Sequence, residues 1–304
     1  MLLDAWMFVV PAFLLGLLFG SFLNVCISRL PEHRSIAKPR SHCPECQTVI
    51  RWYDNVPLLS FVLLRAKCRK CGVGISWRYP LVELAVGLWF GLIMGTALRS
   101  SPGFVPSVWI YFFGVGVLGF LLIGLAVMDW RTHTLPDAFT IPGIGIGFFL
   151  VCVQAIFLAP GEDDIKLNPK HSLRMSSPGS FVAKGNVFLT GPEHLVFGRL
   201  AAIVGAGMLL VVVNALYKAV RKRQGIGMGD AKLLAMIAAF LGFWPAVVAL
   251  FVGVVLCSVY AVGLLARGRA TGGSRLPLGT FLAVGGLVAA VFGNSLIGWY
   301  SSLL

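Results

Sequence analysis

Four cysteines in the N-terminal third of the chain have the spacing of a metal site. Two residues separate Cys43 from Cys46 and Cys68 from Cys71, and 21 residues lie between the two pairs. This arrangement is close to that of four-thiolate zinc ribbons. Because protein ligands would fill all four positions, the predicted zinc ion is structural and stabilises the loop that carries it.

Disulfide bonds are the competing interpretation of these cysteines. Disulfides persist in oxidising compartments, whereas the basic loop around the four cysteines is predicted to face the reducing cytoplasm. Metal binding is therefore the favoured interpretation. The remaining cysteines, Cys26, Cys152 and Cys257, stand singly in apolar runs and are predicted to be packing residues.

Two aspartates, Asp129 and Asp230, stand at the edges of apolar runs, where ionisable groups are costly. An acidic side chain near the centre of a spanning helix costs about 2.5–3.5 kcal/mol on insertion scales, so its presence indicates a function. Two adjacent carboxylates would share a proton, one acting as general base toward water and the other as general acid toward an amide. The pair therefore predicts aspartyl proteolysis. Glu83 opens another apolar run and is predicted to lie at the same depth.

Helix capping is the simpler interpretation of an acid at a helix start, and it applies to Asp230. Capping does not account for the spaced glycines Gly225, Gly227 and Gly229 that precede this aspartate. Spaced glycines let another chain approach closely. Gly227 and Gly229 are therefore predicted to support the active site by making room for an extended peptide. Asp137 is predicted to be a turn or cap residue.

Membrane helices are the elements that would position these residues. The chain has 304 residues and is 58% hydrophobic and 12% charged, whereas a soluble domain has roughly 25% charged residues. An apolar run of about 20 residues crosses a bilayer as a helix. The sequence predicts an all-α polytopic membrane protein with about eight transmembrane helices: 6–27, 80–98, 106–128, 139–159, 197–217, 231–243, 246–266 and 277–298. The sixth is short, and a tightly packed or partly re-entrant helix would fit there.

Basic residues are concentrated on one side of the predicted bundle. Four loops together hold 18 of the 25 lysines and arginines: 28–79, 129–138, 218–230 and 267–276. By the positive-inside rule these loops face the cytoplasm, which places both aspartates and the cysteine loop on that side. The net charge of +13 therefore reflects orientation in the lipid bilayer, and nucleic acid is not predicted as a partner.

The predicted organisation has three parts. Residues 1–27 form the first transmembrane helix, residues 28–79 a cytoplasmic zinc-ribbon-like loop domain, and residues 80–304 a membrane-embedded protease domain. Within the last part, residues 160–196 are rich in Pro, Gly and Ser, lack apolar periodicity and are predicted to form an extracytoplasmic loop. Between the cysteine pairs, the segment containing Trp52 and Tyr53 either lies against the membrane surface or forms the wall of a substrate cleft.

Seven motifs, taken in order along the chain, resemble those of the type IV prepilin peptidases, the bacterial membrane enzymes that mature type IV pilins and type II secretion pseudopilins. They are GSFLNVCISRLP (20–31), PRSHCPEC (39–46), WYDNVPLLSF (52–61), KCRKCG (67–72), RYPLVEL (78–84), MDWRTHTLPD (128–137) and GMGDAKLLA (227–235). The likeness covers nearly the whole chain. The motifs are specific in combination, although the G-x-G-D element alone is weak.

The resemblance implies a bifunctional enzyme of the bacterial inner membrane. It would cleave the basic leader of prepilins and pseudopilins on the cytoplasmic side, after a glycine, and then N-methylate the new N-terminal residue with S-adenosylmethionine. The two catalytic acids of the family map onto Asp129 and Asp230. The family's methyltransferase activity is associated with the cysteine loop, but no motif here places the residues that bind S-adenosylmethionine.

Two other classes of function fit parts of the sequence. A proton-coupled membrane transporter with a zinc-binding regulatory loop is the alternative, because intramembrane acids also relay protons. It predicts acids distributed across the membrane depth, whereas these cluster at one face. A membrane-anchored zinc-ribbon adaptor without chemistry is the third, and it leaves the paired aspartates unexplained.

Overall fold

The chain forms a bundle of membrane-length helices. A computed structural model describes residues 2–32, 34–101, 103–158, 192–222, 227–268 and 276–302. The α-helices are α1 (Leu2–Arg29), α2 (Leu59–Leu63), α3 (Arg78–Ser100), α4 (Pro106–Thr132), α5 (Asp137–Leu158), α6 (Pro192–Arg221), α7 (Met228–Leu241), α8 (Phe243–Ala266) and α9 (Leu278–Ser301). Short 3₁₀ turns cover Leu30–Glu32 and Trp52–Asn55.

Eight of the described helices, α1 and α3 to α9, correspond in order to the eight predicted spans. In the described part of the chain, seven helices are long and apolar enough to cross a membrane, and α7 is not among them. With 14 residues, α7 is about 21 Å long at 1.5 Å per residue, which is shorter than a hydrocarbon core. The prediction of a polytopic helical protein with a short sixth segment is therefore confirmed.

Neighbouring helices pack antiparallel, so one face of the bundle collects every functional segment. A Cβ at Gly20 would lie 2.6 Å from the Cα of Glu83, which brings α1 and α3 into close contact. The pairs α4–α5, α6–α7 and α8–α9 pack in the same way. The C-terminal ends of α1, α4, α6 and α8 therefore lie on the same face as the N-terminal ends of α3, α5, α7 and α9. The cysteine loop and both aspartates lie toward this face.

The short helix α7 lies at the centre of the bundle, in contact with α4, α5, α6, α8 and α9. Leu233, Leu234, Met236 and Ile237 are fully buried. Surrounded on all sides by other helices, α7 need not meet lipid along its length. Packing thus explains how a helix too short to span a bilayer is stable here.

The structure gives two details of the helices, the start of α6 and the packing of the α5 glycines. Helix α6 begins at Pro192, so the last residues of the predicted loop 160–196 belong to a helix, while 159–191 lie outside the described residues. In α5, Gly143 and Gly147 allow close packing against Met236 and Phe240 of α7. A side chain at Gly145 would meet open space, so that glycine has no packing role within the bundle.

Candidate active site and metal centre

Asp129 lies buried in the last turn of α4, where it binds the start of α9. Its Oδ2 accepts a hydrogen bond from the Thr280 backbone N–H at 2.7 Å and lies 3.0 Å from the Thr280 hydroxyl oxygen. The hydroxyl has a single hydrogen, which it shares between Asp129 and the carbonyl of Ala126 at 3.1 Å. The carboxylate of Asp129 therefore satisfies one of the free N–H groups at the N-terminus of another helix.

Gly279 provides the space for this carboxylate. A Cβ at that position would lie 3.0 Å from Cγ and 3.1 Å from Oδ2 of Asp129, and 2.9 Å from Cδ1 of Leu135. Such contacts are closer than carbon and oxygen atoms tolerate without movement. The absence of a side chain at Gly279 is therefore needed for the observed position of Asp129.

Asp230 lies buried in the first turn of α7. Its Oδ2 accepts a hydrogen bond from the backbone N–H of Gly227 at 3.2 Å, so the carboxylate caps its own helix. The capping interpretation of Asp230 is confirmed as a structural description. Capping does not prevent Asp230 from acting in proton transfer, because a carboxylate can accept further hydrogen bonds.

The two aspartates are neighbours in space, although 101 positions separate them in the chain. Asp129 and Asp230 lie close enough for their charges to interact, and Cys257 of α8 lies near both. Leu135 lies against both glycine-containing helix starts, with its Cβ 3.1 Å from a Cβ built at Gly229. Cys257 is buried as predicted, but its neighbours include the aspartates as well as apolar side chains.

Each carboxylate lies at the N-terminus of a different helix, Asp129 at α9 and Asp230 at α7. A helix N-terminus carries the equivalent of roughly half a positive charge, which can stabilise a partly buried anion by up to about 2 kcal/mol. Burial opposes ionisation and the mutual repulsion of two carboxylates adds to that cost. The helix ends and the donated N–H groups offset part of the cost of burial and part of the cost of repulsion. One negative charge can therefore be held here.

The structure shows the contacts of the glycines before Asp230. Gly227 has a backbone φ of −74°, which any residue adopts, and its N–H serves as the cap donor. The space beside Gly229 is occupied by Leu135. In this structure Gly229 therefore admits an apolar side chain rather than leaving open room for a peptide, and Gly225 lies outside the described residues.

Glu83 and Asp137 do not join the aspartate pair. The carboxylate of Glu83 is buried and accepts a hydrogen bond from the backbone N–H of Leu58 at 2.9 Å. Asp137 is exposed at the start of α5 and forms an ion pair with Lys232 at 2.6 Å. The hydrogen-bond partner of Glu83 is therefore in the loop before α2, and that of Asp137 is in α7.

The four predicted metal-binding cysteines converge. The sulfur atoms of Cys43, Cys46, Cys68 and Cys71 all lie within 4.8 Å of one another. The Cys43–Cys71 and Cys46–Cys68 distances are 3.8 and 4.0 Å. Tetrahedral zinc with bonds of about 2.3 Å to sulfur places its ligands about 3.8 Å apart, so the cluster has the size of such a site. All four are free thiols without a disulfide.

Two structurally equivalent turns build the cluster, one from each cysteine pair. In the first, the N–H of Gln47 donates to the carbonyl of Cys43, and in the second the N–H of Gly72 donates to Cys68, both at 3.0 Å. Isolated antiparallel bridges close the turns, His42 with Val49 and Lys67 with Gly74. Gln47 and Gly72 both have positive φ, 56° and 72°, a conformation that favours glycine.

One thiol of the cluster is favoured as thiolate by a neighbouring side chain. The Thr48 hydroxyl lies 3.3 Å from the sulfur of Cys46. Its hydrogen bond, followed by that of the Thr48 backbone, lowers the pKa of the Cys46 thiol from 9.0 to about 6. Metal ligands of this kind must be deprotonated, so Cys46 favours the form that binds a cation.

Sequence reasoning missed two residues of the aspartate site, Gly279 and Thr280. They follow Pro277 in the segment PLGT, where proline and glycine at a helix start are a local signal of an N-terminus. That signal gives no indication that a carboxylate 151 positions away would bind there. Only the packing of α4 against α9 brings the two together.

The fold and the site together define a class of protein: a polytopic membrane protein with two buried carboxylates, each at a helix N-terminus, beside a separate four-thiolate centre. Two family models match the chain. The model of the bacterial peptidase A24 N-terminal domain matches residues 14–97, which include all four clustered cysteines. The model of the type IV leader peptidase family matches residues 172–262, which include Asp230.

Curated relatives agree with the family models. The chain is similar to the prepilin leader peptidase/N-methyltransferase of Neisseria gonorrhoeae, with 33% identity over 86% of this chain and 85% of that protein. A protein of the same name from Aeromonas salmonicida is 28% identical over 98% of this chain and 96% of its own length. One from Myxococcus xanthus is 36% identical over 87% of this chain and 65% of its own length.

The chain belongs to the type IV leader peptidase family. It spans 65% of the length of the Myxococcus relative and nearly the whole of the Aeromonas relative. No solved structure matched the chain. The alternative of a proton-coupled transporter has no support among these relatives.

Proposed function

We propose that this protein is a membrane aspartic endopeptidase that removes the leader peptides of type IV prepilins and pseudopilins and then methylates the new N-terminal amine. The observation that carries the proposal is the convergence of Asp129 and Asp230, two buried carboxylates on separate helices, at one end of the bundle. The names of the curated relatives, which combine leader peptidase with N-methyltransferase, agree with it.

In the proposed cleavage step, the two aspartates share one proton. The ionised carboxylate removes a proton from a water molecule that attacks the scissile carbonyl carbon, and the protonated carboxyl gives its proton to the amide nitrogen as the C–N bond breaks. Thr280 and Gly227 contribute by fixing one oxygen, Oδ2, of each carboxylate. No covalent enzyme intermediate is required.

The substrate geometry follows from the position of the pair. A protein with a basic leader in the cytoplasm and an apolar helix in the bilayer presents the junction between them at the membrane surface. The positive-inside rule places the loops at the aspartate end of the bundle in the cytoplasm, so the scissile bond and the two carboxylates lie at the same membrane face. We therefore propose a cytoplasmic orientation for this end of the bundle in the bacterial inner membrane.

Single amide substitutions test the cleavage step. The full-length protein, purified in lipid nanodiscs, is incubated with a prepilin, and release of the leader is followed by mass spectrometry. We expect Asp129→Asn and Asp230→Asn to reduce cleavage to a small residual rate, because an amide can act neither as general base nor as proton donor of the required strength. Asp137→Asn is the matched control and retains cleavage, since Asp137 is exposed and paired with Lys232.

We further propose that the four-cysteine cluster holds a structural zinc ion and that the loop around it serves the methyl transfer. The ligand set fits zinc, because four thiolates at tetrahedral spacing leave no open position for a reacting group. When bound, the ion stabilises the fold of the loop. S-adenosylmethionine is the proposed methyl donor, and the residues that bind it remain unassigned.

Metal analysis and a methylation assay test this part separately. Wild-type protein should contain about one zinc ion per chain, and Cys43→Ser should lose most of it. The same variant should still cleave prepilin, because no cysteine of the cluster is part of the aspartate site, but its methylation of the cleaved product should fall. Full methylation by a zinc-free variant would remove the loop from that role.

A further inference from the structure

The short helix α2 (Leu59–Leu63) in the loop between α1 and α3 exposes an apolar face. Leu59, Val62 and Leu63 are 55%, 69% and 71% exposed. Residues at i, i+3 and i+4 lie on the same side of a helix, so these three side chains form one face. Phe61 is on the other side, buried and in ring contact with Trp77 at 4.9 Å. A water-facing loop gains nothing from such a face.

The depth of α2 is fixed by a hydrogen bond to α3. The N–H of Leu58, which directly precedes α2, donates to the buried carboxylate of Glu83 at 2.9 Å. Glu83 is five positions after Arg78, the first residue of α3, which is about 7–8 Å along a helix axis. On the α1 side, a Cβ at Gly20 would lie 2.6 Å from the Cα of Glu83, so α1 packs directly against the same turn of α3. The start of α2 therefore reaches below the ends of the two membrane helices that flank the loop.

The backbone conformation of Leu58 indicates that surrounding contacts fix the position of α2 against α3. Leu58 has φ 57° and ψ −47°, a region that non-glycine residues rarely adopt. Such a conformation persists only where surrounding contacts determine it. Here the buried Glu83 carboxylate receives the N–H, and the adjacent α2 helix begins at the next residue. The segment is thus attached to the membrane bundle at a defined point and does not hang freely from the loop.

Aromatic residues mark the membrane surface at this point. Trp77 and Tyr79 lie at the beginning of α3, and tryptophan and tyrosine are enriched where headgroups meet the hydrocarbon core. Glu83 lies deeper than both along α3. Arg65 and Lys67, which follow α2, add positive charge that suits anionic headgroups.

We infer that α2 is an interfacial membrane anchor, whose Leu59, Val62 and Leu63 insert into the lipid bilayer and hold the four-cysteine module against the membrane surface. The occupant of the apolar face is lipid. A second copy of this chain and the apolar helix of a substrate are the competing occupants, and the experiment below separates the three. The inference needs only that the chain spans a membrane, so it does not depend on the proposed catalytic function.

Site-specific photocrosslinking in membranes tests the inference. A benzophenone amino acid replaces Leu63 in the full-length protein, which is reconstituted without substrate in vesicles of phosphatidylethanolamine and phosphatidylglycerol. Leu88, exposed on α3, is the positive control position, and Glu45, exposed in the first cysteine turn, is the negative control position. We expect phospholipid adducts at positions 63 and 88, found by mass spectrometry, and none at position 45.

Two outcomes overturn the inference. One is a lack of lipid adduct at position 63 while position 88 reacts, which would place the face in water. The other is a protein dimer crosslinked through position 63, which would make a second copy the occupant. A substrate occupant would likewise leave position 63 without lipid adducts in the first experiment and give an enzyme–prepilin adduct when prepilin is added.

A pair of Glu83 variants tests the depth argument. Glu83→Gln keeps a side-chain oxygen that can accept from the N–H of Leu58, whereas Glu83→Ala removes it. The lipid adduct at position 63 should persist in the glutamine variant and decrease in the alanine variant, with the adduct at position 88 unchanged in both. Equal loss in both variants, or in neither, would show that this hydrogen bond does not set the depth of α2.

Discussion

Substituting Gly279 by alanine tests the geometry of the aspartate site without altering either aspartate. The added Cβ would lie 3.0 Å from Cγ of Asp129 and 3.1 Å from Oδ2, so the carboxylate must move away from the start of α9. That movement would lengthen or break the hydrogen bond from the Thr280 N–H, which is 2.7 Å long. A hydrogen bond to a charged group contributes about 1.5–3 kcal/mol, and loss of it from the transition state lowers the rate about ten- to a hundredfold.

The assay compares kcat/KM for leader release by Gly279→Ala and by a matched control, Gly116→Ala. Gly116 is in the same helix as Asp129, but a Cβ there would meet no atom within 4 Å. We expect a ten- to a hundredfold loss in the first variant and an unchanged rate in the second. Thermal unfolding midpoints of both variants separate loss of fold from loss of geometry. If Gly279→Ala is folded and cleaves as fast as Gly116→Ala, the reasoning about Asp129 and Thr280 is wrong.

Three further predictions concern the aspartate site and the cysteine loop. Thr280→Val should lower kcat/KM for cleavage by about tenfold through loss of the hydroxyl contact to Asp129, while Thr280→Ser should retain most of the rate; equal rates would show that the hydroxyl is unimportant. Gly72→Ala should weaken zinc binding by about tenfold, because alanine at a φ of 72° costs about 1–2 kcal/mol. Gly74→Ala has no such strain or neighbour and should bind zinc normally, so similar loss in both variants would contradict the role of backbone conformation. Removing the metal with a chelator should reduce methylation and leave leader cleavage intact, and parallel loss of both activities would contradict the separation of the two sites.

The sequence predicts the helices and the metal cluster well because both signals are local or nearly so. An apolar run must satisfy its backbone hydrogen bonds internally, which specifies a helix and its approximate bounds. The paired spacing of Cys43, Cys46, Cys68 and Cys71 specifies two turns of the same kind, and the structure brings their sulfur atoms together. The prediction of a short, tightly packed sixth segment is confirmed by α7. Its position at the centre of the bundle explains why it need not span the bilayer.

The partners of the carboxylates could not be predicted in the same way. Thr280 meets Asp129, and Leu58 meets Glu83, only because particular helices pack side by side. The sequence of one apolar helix does not indicate which other helix it will pack against. For the same reason the spacing of the glycines before Asp230 predicts room for an extended peptide but does not reveal that Leu135 lies beside Gly229. The type of residue that a site would use is therefore more predictable from sequence than the contacts that position it.

The central claim is that Asp129 and Asp230 act as one catalytic unit, and a double-mutant cycle for prepilin cleavage tests it most directly. Residues that act together in one step give losses that do not multiply. We predict that Asp129→Asn, Asp230→Asn and the double variant all cleave at the same residual rate. A double variant that is slower than either single variant by the product of their losses, or a single variant that still cleaves well, would contradict the account.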